Sequence, residues 1–258
     1  MEKLPAKAGW QWIKEGFALF RKQPAALSTL FLSYMLLMVV LGIVPVIGQV
    51  LPLVLVPIFA MVFMEACLRV EQGKRVPMSL LFAGFRSPAI GPLLKLGGLY
   101  LVAAVLAAAS SSLIDGGVFW KGMTGQMPFD EKTVQGSNMA LAMLFAAALY
   151  TPAAMGFWYA APLVAWQKMG VAKAIFYSFF AVLRAGKAFL VYGLGWILIG
   201  VLLPVIFSTL LAMVTGKAMV TMLVLMPLSL VMTVIMYCSF YPMYTQVFGQ
   251  PEAPPPTD

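Results

Sequence analysis

The chain has 258 residues, of which 62% are hydrophobic and 10% are charged, and its formal net charge is +8. Water-soluble domains carry about a quarter of their residues as charged side chains, so this composition excludes a soluble globular protein and indicates a protein embedded in a bilayer. The chain has no histidine and two cysteines, which excludes Ser-His-Asp, Cys-His and histidine-metal sites. We therefore predict no catalytic residue, no metal site, no cofactor and no enzymatic activity.

Six apolar runs are long enough to cross a hydrocarbon core, which requires about 20 residues of helix. They predict an all-α polytopic membrane protein whose six transmembrane helices form three hairpins. In chain order, the predicted spans are Pro24–Ile47, Gln49–Leu68, Pro92–Ile114, Met139–Trp166, Ala188–Val214 and Ala218–Tyr241. The segment Gly42–Pro52 carries no charge, so it is either a turn or a re-entrant segment.

Lysine and arginine are concentrated in alternate gaps between the predicted spans. Fourteen of the 17 basic residues precede the first span, lie between the second span and the opening of the third (Lys95 included), or lie between spans four and five. The positive-inside rule then places both termini and the basic loops in the cytoplasm. The predicted organisation is a cytoplasmic segment at 1–23, a transmembrane domain at 24–248 and a disordered cytoplasmic tail at 249–258, with cytoplasmic loops at 69–91 and 167–187 and an extracytoplasmic loop at 115–138. Since the basic residues mark topology, no nucleic acid partner is predicted.

The segment before the first span has the clearest amphipathic pattern in the chain. Its apolar stripe contains Trp10, Ile13, Phe17 and Phe20 and is widened by Trp12 and Leu19, whereas Lys14, Arg21 and Lys22 lie mostly on the other side. This pattern predicts an interfacial helix that lies in the headgroup plane, with Trp10, Trp12, Phe17 and Phe20 as its anchors. Such a helix either senses or shapes the lipid, or only orients the first span.

Each odd-numbered span is introduced by a short apolar and aromatic segment that ends in arginine. The aligned residues are Arg21 in Gly16–Leu27, Arg86 in Leu81–Leu94 and Arg184 in Phe179–Leu190. We interpret this as three units, each an interfacial helix followed by a transmembrane hairpin. The arginines, together with Lys14 and Lys22, either lie among anionic headgroups or grip an anionic substrate.

Polar residues within the predicted spans are few. Glu65 lies four residues before Arg69, and this spacing predicts an ion pair on one helix face. The spans show no carboxylate near the midplane, where ion-coupled transport usually requires one. Prolines such as Pro152 and Pro162 predict kinks that permit a cavity or a hinge. Cys67 and Cys238 each lie near the predicted cytoplasmic end of a span, so no disulfide between them is predicted.

The strings LFAGFR (Leu81–Arg86), YAAPLVAWQKMGVAKAIFYSFFAVLR (Tyr159–Arg184) and GWQWIKEGFALFRKQP (Gly9–Pro24) resemble an uncharacterised family of proteobacterial six-span inner-membrane proteins. The resemblance covers most of the chain and implies a fold and a compartment but no activity. Two hypotheses follow. The first is a non-enzymatic membrane protein whose interfacial helices contact lipid or a protein partner, with a homo-oligomer also open; the alternative is a transporter or channel for a small or amphipathic solute.

Overall fold

The computed structural model describes residues 4–44, 47–127, 137–216 and 218–251. Within these ranges the regular structure is entirely helical. Six helical segments are long and apolar enough to cross a membrane, which confirms the predicted all-α polytopic fold. The predicted turn at 42–52, loop at 115–138 and tail at 249–258 fall partly outside the described residues.

Along the chain, short helices connect long helices that span the membrane. In chain order they are α1 (Lys7–Lys22), α2 (Pro24–Gly42), α3 (Ile47–Glu71), α4 (Leu80–Ala83), α5 (Ile90–Ser110), α6 (Ser112–Asp115), α7 (Val118–Met123), α8 (Met139–Phe157), α9 (Ala160–Ala165), α10 (Val171–Arg184), α11 (Gly186–Ile197), α12 (Leu203–Thr215) and α13 (Ala218–Phe248). A 3-10 turn, Gly84–Arg86, extends α4, and a π-helical turn, Leu198–Leu202, joins α11 to α12. The six spans are α2, α3, α5, α8 with α9, α11 with α12, and α13.

The three predicted units pack in a closed order, in which the short helix of each unit lies on the hairpin of the preceding unit and the short helix of the first unit lies on the third hairpin. The 3-10 extended α4 of the second unit packs on α2 and α3 of the first, and α10 of the third unit packs on α5, α8 and α9 of the second. The order closes because α1 of the first unit packs on α11 and α13 of the third. Each unit therefore places its short helix on the hairpin of another unit, and none of these helices is covered by its own hairpin alone.

A glycine sets the closest approach between two spans. A Cβ atom at Gly97 of α5 would lie 1.9 Å from the carbonyl oxygen of Val54 in α3, whereas a Cβ at the neighbouring Gly98 would meet no atom within 4 Å. Small residues allow membrane helices to approach until their backbones touch. Gly97 is therefore the contact point that brings α3 and α5 together.

The fourth span is broken inside the protein, between Phe157 and Ala160. Pro162 has no N–H for the carbonyl four residues earlier, so the helix cannot continue regularly there. Two neighbouring helices satisfy backbone groups beside the interruption: Ser178 Oγ of α10 donates to the Met155 carbonyl at 2.8 Å and accepts from Tyr159 N at 2.9 Å. The hydroxyl of Tyr100 in α5 donates to the Phe157 carbonyl at 2.8 Å. The predicted kink is thus a braced interruption of the span.

Candidate functional site

The basic helix α1 is docked into the protein along one face. Its buried residues are Ala8, Gly9, Trp12, Ile13, Gly16 and Leu19. A Cβ at Gly9 would lie 2.0 Å from the Ala188 carbonyl oxygen of α11, and one at Gly16 would lie 2.8 Å from Ser239 Cβ of α13. The two glycines, seven residues apart on one helix face, therefore let α1 rest directly on the third hairpin.

The structure corrects the prediction that Trp12 is an interfacial anchor. Trp12 is fully buried, packs edge-on against Phe189 and Tyr192 of α11, and donates its indole N–H to the Gln246 side chain of α13. A polar side-chain partner and two aromatic neighbours are the usual surroundings of a core tryptophan. Trp12 is therefore a structural contact between α1 and the third hairpin.

The other three predicted anchors lie closer to the surface. Trp10 is 42% exposed, and Phe17 and Phe20 are half-buried against the core. The docked face is centred about one residue away from the predicted stripe because glycines, which carry no hydrophobic bulk, form its centre. These glycines could have been found from their seven-residue spacing in the sequence.

The predicted lipid contacts are exposed cations. Arg21, Arg86, Arg184, Lys14 and Lys22 are all exposed. Arg21 and Lys22 end α1, Arg86 ends the 3-10 turn and Arg184 ends α10. Within the described residues, Arg69 and Glu65 form the only ion pair, with Nε and Oε1 3.4 Å apart, which confirms that predicted pair. None of the five cations therefore forms an ion pair with a carboxylate in the described parts of the chain.

A crevice of about 730 Å³ lies where the start of the chain meets the end of α10. It is lined by Leu4, Pro5 and Ala6 before α1 and by Leu183, Arg184, Gly186 and Lys187. The N-terminal end of α1 adds a partial positive charge to the two cations. This crevice can hold an anionic group, and Lys187 is a lining residue that the sequence did not single out.

Glu15 is an acidic residue on the outer side of α1. Partial burial raises the pKa of Glu15, and the nearby Glu71 carboxylate at the end of α3 raises it further, while the Gln11 side chain and the Lys14 charge act in the opposite direction. Glu71 in turn accepts a hydrogen bond from the Tyr241 hydroxyl of α13. Protonation of Glu15 removes its repulsion of Glu71 and therefore favours the packing of α1 on α3.

Replacing Glu15 with glutamine is expected to reduce the pH dependence of stability. A raised pKa means that the folded protein binds this proton more tightly than the unfolded chain does, so protonation favours the fold and this contribution is lost as pH rises through the raised pKa. As pH rises above the ordinary range of a glutamate pKa, the wild type loses this contribution, so the melting temperature of Glu15→Gln in detergent should fall less steeply with pH than that of the wild type. An identical slope for the two proteins would contradict the coupling.

The two cysteines meet inside the protein. Cys67 of α3 and Cys238 of α13 are free and buried, and their side chains are neighbours. They pack two spans together although 170 residues separate them in the chain. In the described parts of the chain, no three His, Cys, Asp or Glu residues lie close enough together to hold a metal ion.

Comparison with known proteins gives a relative of nearly the same length. The chain is 41% identical, over 262 residues, to the probable inner membrane protein BTH_II0599 of Burkholderia thailandensis. The match covers 98% of this chain and 96% of the relative. No family model and no solved structure matches the chain. The name of the relative states a membrane location and no activity.

Proposed function

We propose, on the premise that this chain belongs to the same family of multi-pass inner membrane proteins as its Burkholderia relative, that it is a non-enzymatic protein whose short basic helices hold anionic lipid headgroups. The headgroups lie on the face where α1, the 3-10 turn and α10 end. The lipid phosphates are the anionic groups, and the exposed arginines and lysines are their partners. Both termini and this face are on the cytoplasmic side.

The observation that carries this proposal is the crevice between residues 4–6 and the end of α10. Arg184 and Lys187 both line it, and both side chains are exposed. A guanidinium can bind two phosphate oxygens at once, and an ammonium adds a compact point charge. Apolar walls from Leu4, Pro5 and Leu183 suit the glycerol and first methylenes of a phospholipid better than they suit a small hydrophilic anion.

The position of the cations supports lipid over a soluble anion. Arg86 and Arg184 each stand a few residues before a span begins, at α5 and α11, so their side chains lie at headgroup depth when the spans cross a bilayer. The inner leaflet of such membranes is negatively charged, and it attracts juxtamembrane basic residues. Two features of the sequence support the non-enzymatic part of the proposal. It has no histidine, and no two carboxylates lie together deep inside the predicted spans.

The double variant Arg184→Gln with Lys187→Gln is expected to lose bound anionic phospholipid. Each basic side chain near an anionic surface contributes about 1 kcal/mol, so the affinity should fall about 30-fold. Native mass spectrometry of the protein released from mixed phosphatidylglycerol and phosphatidylcholine micelles would count the lipids retained. The wild type should retain phosphatidylglycerol preferentially.

The matched control is Lys121→Gln, which removes an exposed cation on α7 at the opposite ends of the spans. It should retain phosphatidylglycerol as the wild type does. Equal retention by the double variant and the wild type would overturn the proposal. So would a wild type that shows no preference between the two lipids.

A further inference from the structure

The outward face of α10 carries large apolar side chains. Phe176, Tyr177, Phe180 and Leu183 are each between 39% and 61% exposed in the described structure. The buried face of the same helix consists of smaller residues, which are Ala174, Ser178, Ala181 and Val182. A helix that packs on a protein core from water has the opposite arrangement, with its large apolar residues on the core side. The outward face of α10 is therefore built to meet an apolar medium.

The place of α10 in the chain identifies that medium. The helix follows the end of the fourth span, and one residue, Ala185, separates it from α11, which opens the fifth span. Exposed apolar patches on a protein mark contacts with a membrane or with another protein. Because α10 joins the end of one span to the start of the next, its exposed face lies at the edge of the hydrocarbon core, where apolar side chains of interfacial helices are buried in lipid.

Three of the exposed residues form a stripe that leads to the basic crevice. Phe176, Phe180 and Leu183 are spaced i, i+4 and i+7, so they lie on one side of α10 and extend over about 10 Å. The rings of Phe176 and Phe180 are in contact, with their centroids 4.7 Å apart. Leu183 also lines the crevice to which Arg184 and Lys187 belong. The apolar stripe therefore begins at the proposed headgroup site and continues away from it along α10.

The charges on α10 are complementary to an anionic lipid. The helix contains no acidic residue, and its two basic residues, Lys173 and Arg184, are both exposed. Lys173 Nζ lies 5.8 Å from the centroid of the Tyr177 ring, within the range of a cation–π contact. Such side chains extend their stems along apolar surface and leave the charge among phosphates. A lipid satisfies both the apolar stripe and the charges at its ends.

We infer that the lipid at the crevice is bound through an acyl chain as well as through its phosphate. The phosphate lies at Arg184 and Lys187, and the first part of one chain lies along Leu183, Phe180 and Phe176. This inference rests on the proposed headgroup site and names its ligand as a complete phospholipid. A free phosphate or a glycerophosphate satisfies only the cations, so the stripe is what distinguishes a membrane lipid from a soluble anion.

Phe176→Ala combined with Phe180→Ala is expected to weaken phospholipid binding without changing the choice of headgroup. The loss of two apolar contacts should lower retention about tenfold. Native mass spectrometry of the full-length protein from mixed phosphatidylglycerol and phosphatidylcholine micelles should show both lipids falling in equal proportion, because they carry the same chains. Arg184→Gln with Lys187→Gln should instead remove the preference for phosphatidylglycerol.

The matched control is Phe145→Ala combined with Phe207→Ala. These two phenylalanines are 38% and 45% exposed and lie on α8 and α12, away from the crevice and from α10. Their removal deletes the same amount of side chain, and lipid retention should equal that of the wild type. Melting temperatures in detergent show whether both double variants are folded.

The position of the chain can be measured in the wild type without any substitution. Phosphatidylglycerol and phosphatidylcholine, each with a photoreactive diazirine in one acyl chain, are bound to the full-length protein in separate samples and irradiated. Trypsin cleaves after Lys173 and Arg184, so residues 174–184 are recovered as one peptide. We expect this peptide to be labelled more by the phosphatidylglycerol probe, and peptides from the spans to be labelled equally by both. Excess glycerophosphoglycerol, which has the same headgroup and no chains, should not displace the label.

The outcomes separate this inference from the proposal on which it rests. If the arginine and lysine variant loses the headgroup preference while the phenylalanine variant retains lipid as the wild type does, the headgroup site stands and the acyl-chain contact is wrong. Equal labelling of residues 174–184 by the two probes, or displacement of the label by glycerophosphoglycerol, leads to the same conclusion. Cross-links through this peptide to a second copy of the chain would make the face a protein interface and also overturn the inference. Unchanged retention in the arginine and lysine variant would overturn both.

Discussion

Replacing Gly97 with alanine is expected to destabilise the protein strongly, while the same change one residue later is not. The new Cβ would lie 1.9 Å from the Val54 carbonyl oxygen, a distance that forces α5 away from α3. Overpacking of a tight contact costs about 1–3 kcal/mol and sometimes more. The melting temperature in detergent should therefore fall by several degrees or the variant should fail to fold.

Gly98→Ala is the matched control for this experiment. No atom lies within 4 Å of the position that its Cβ would take, and alanine is favoured over glycine in a helix by about 0.5–1 kcal/mol. Gly98→Ala should therefore be as stable as the wild type or slightly more stable. Equal melting temperatures for Gly97→Ala and Gly98→Ala would show that α3 and α5 are not in backbone contact.

The second large effect is expected for Trp12→Ala compared with Trp10→Ala. Trp12 is completely buried between α1, α11 and α13, and truncation of a buried large aromatic residue costs about 3–5 kcal/mol. The change also leaves the Gln246 side chain without its donor. Trp10 is 42% exposed, so its truncation should cost much less.

Two measurements together distinguish a core tryptophan from a lipid anchor. The first is the melting temperature in detergent, which Trp12→Ala should lower far more than Trp10→Ala. The second is protease cleavage after Lys14, Arg21 or Lys22, which should accelerate in Trp12→Ala because α1 leaves its site. If the two variants behave alike in both measurements, α1 is held by lipid and not by the third hairpin.

The spans could be predicted because hydropathy reports composition directly. The fifth predicted span, Ala188–Val214, differs by one or two residues at each end from the observed helical segment 186–215. The sixth was predicted to end at Tyr241, but α13 continues to Phe248. Tyr241 and Tyr244 fit an aromatic belt by composition, yet each is 1% exposed and packs near Trp166. Hydropathy depends only on residue type, so it cannot show which helix a residue packs against.

The candidate sites were predictable to different degrees. The five exposed cations followed from charge patterning, because a solvated charge depends little on distant parts of the chain. The crevice at Arg184 and Lys187 needed the fold, since it joins residues 4–6 to the end of α10. The orientation of the termini stays a prediction from the positive-inside rule.

The closed packing order of the three units has a consequence for biogenesis. The surface that receives α1 is made of α11 and α13, which leave the ribosome long after α1 does. During synthesis α1 therefore stays undocked until the ribosome has made the roughly 160 residues that separate it from α11. Chains shortened before α11 would retain a basic amphipathic segment with an uncovered face, and we expect cellular proteases to degrade them faster than the full-length chain.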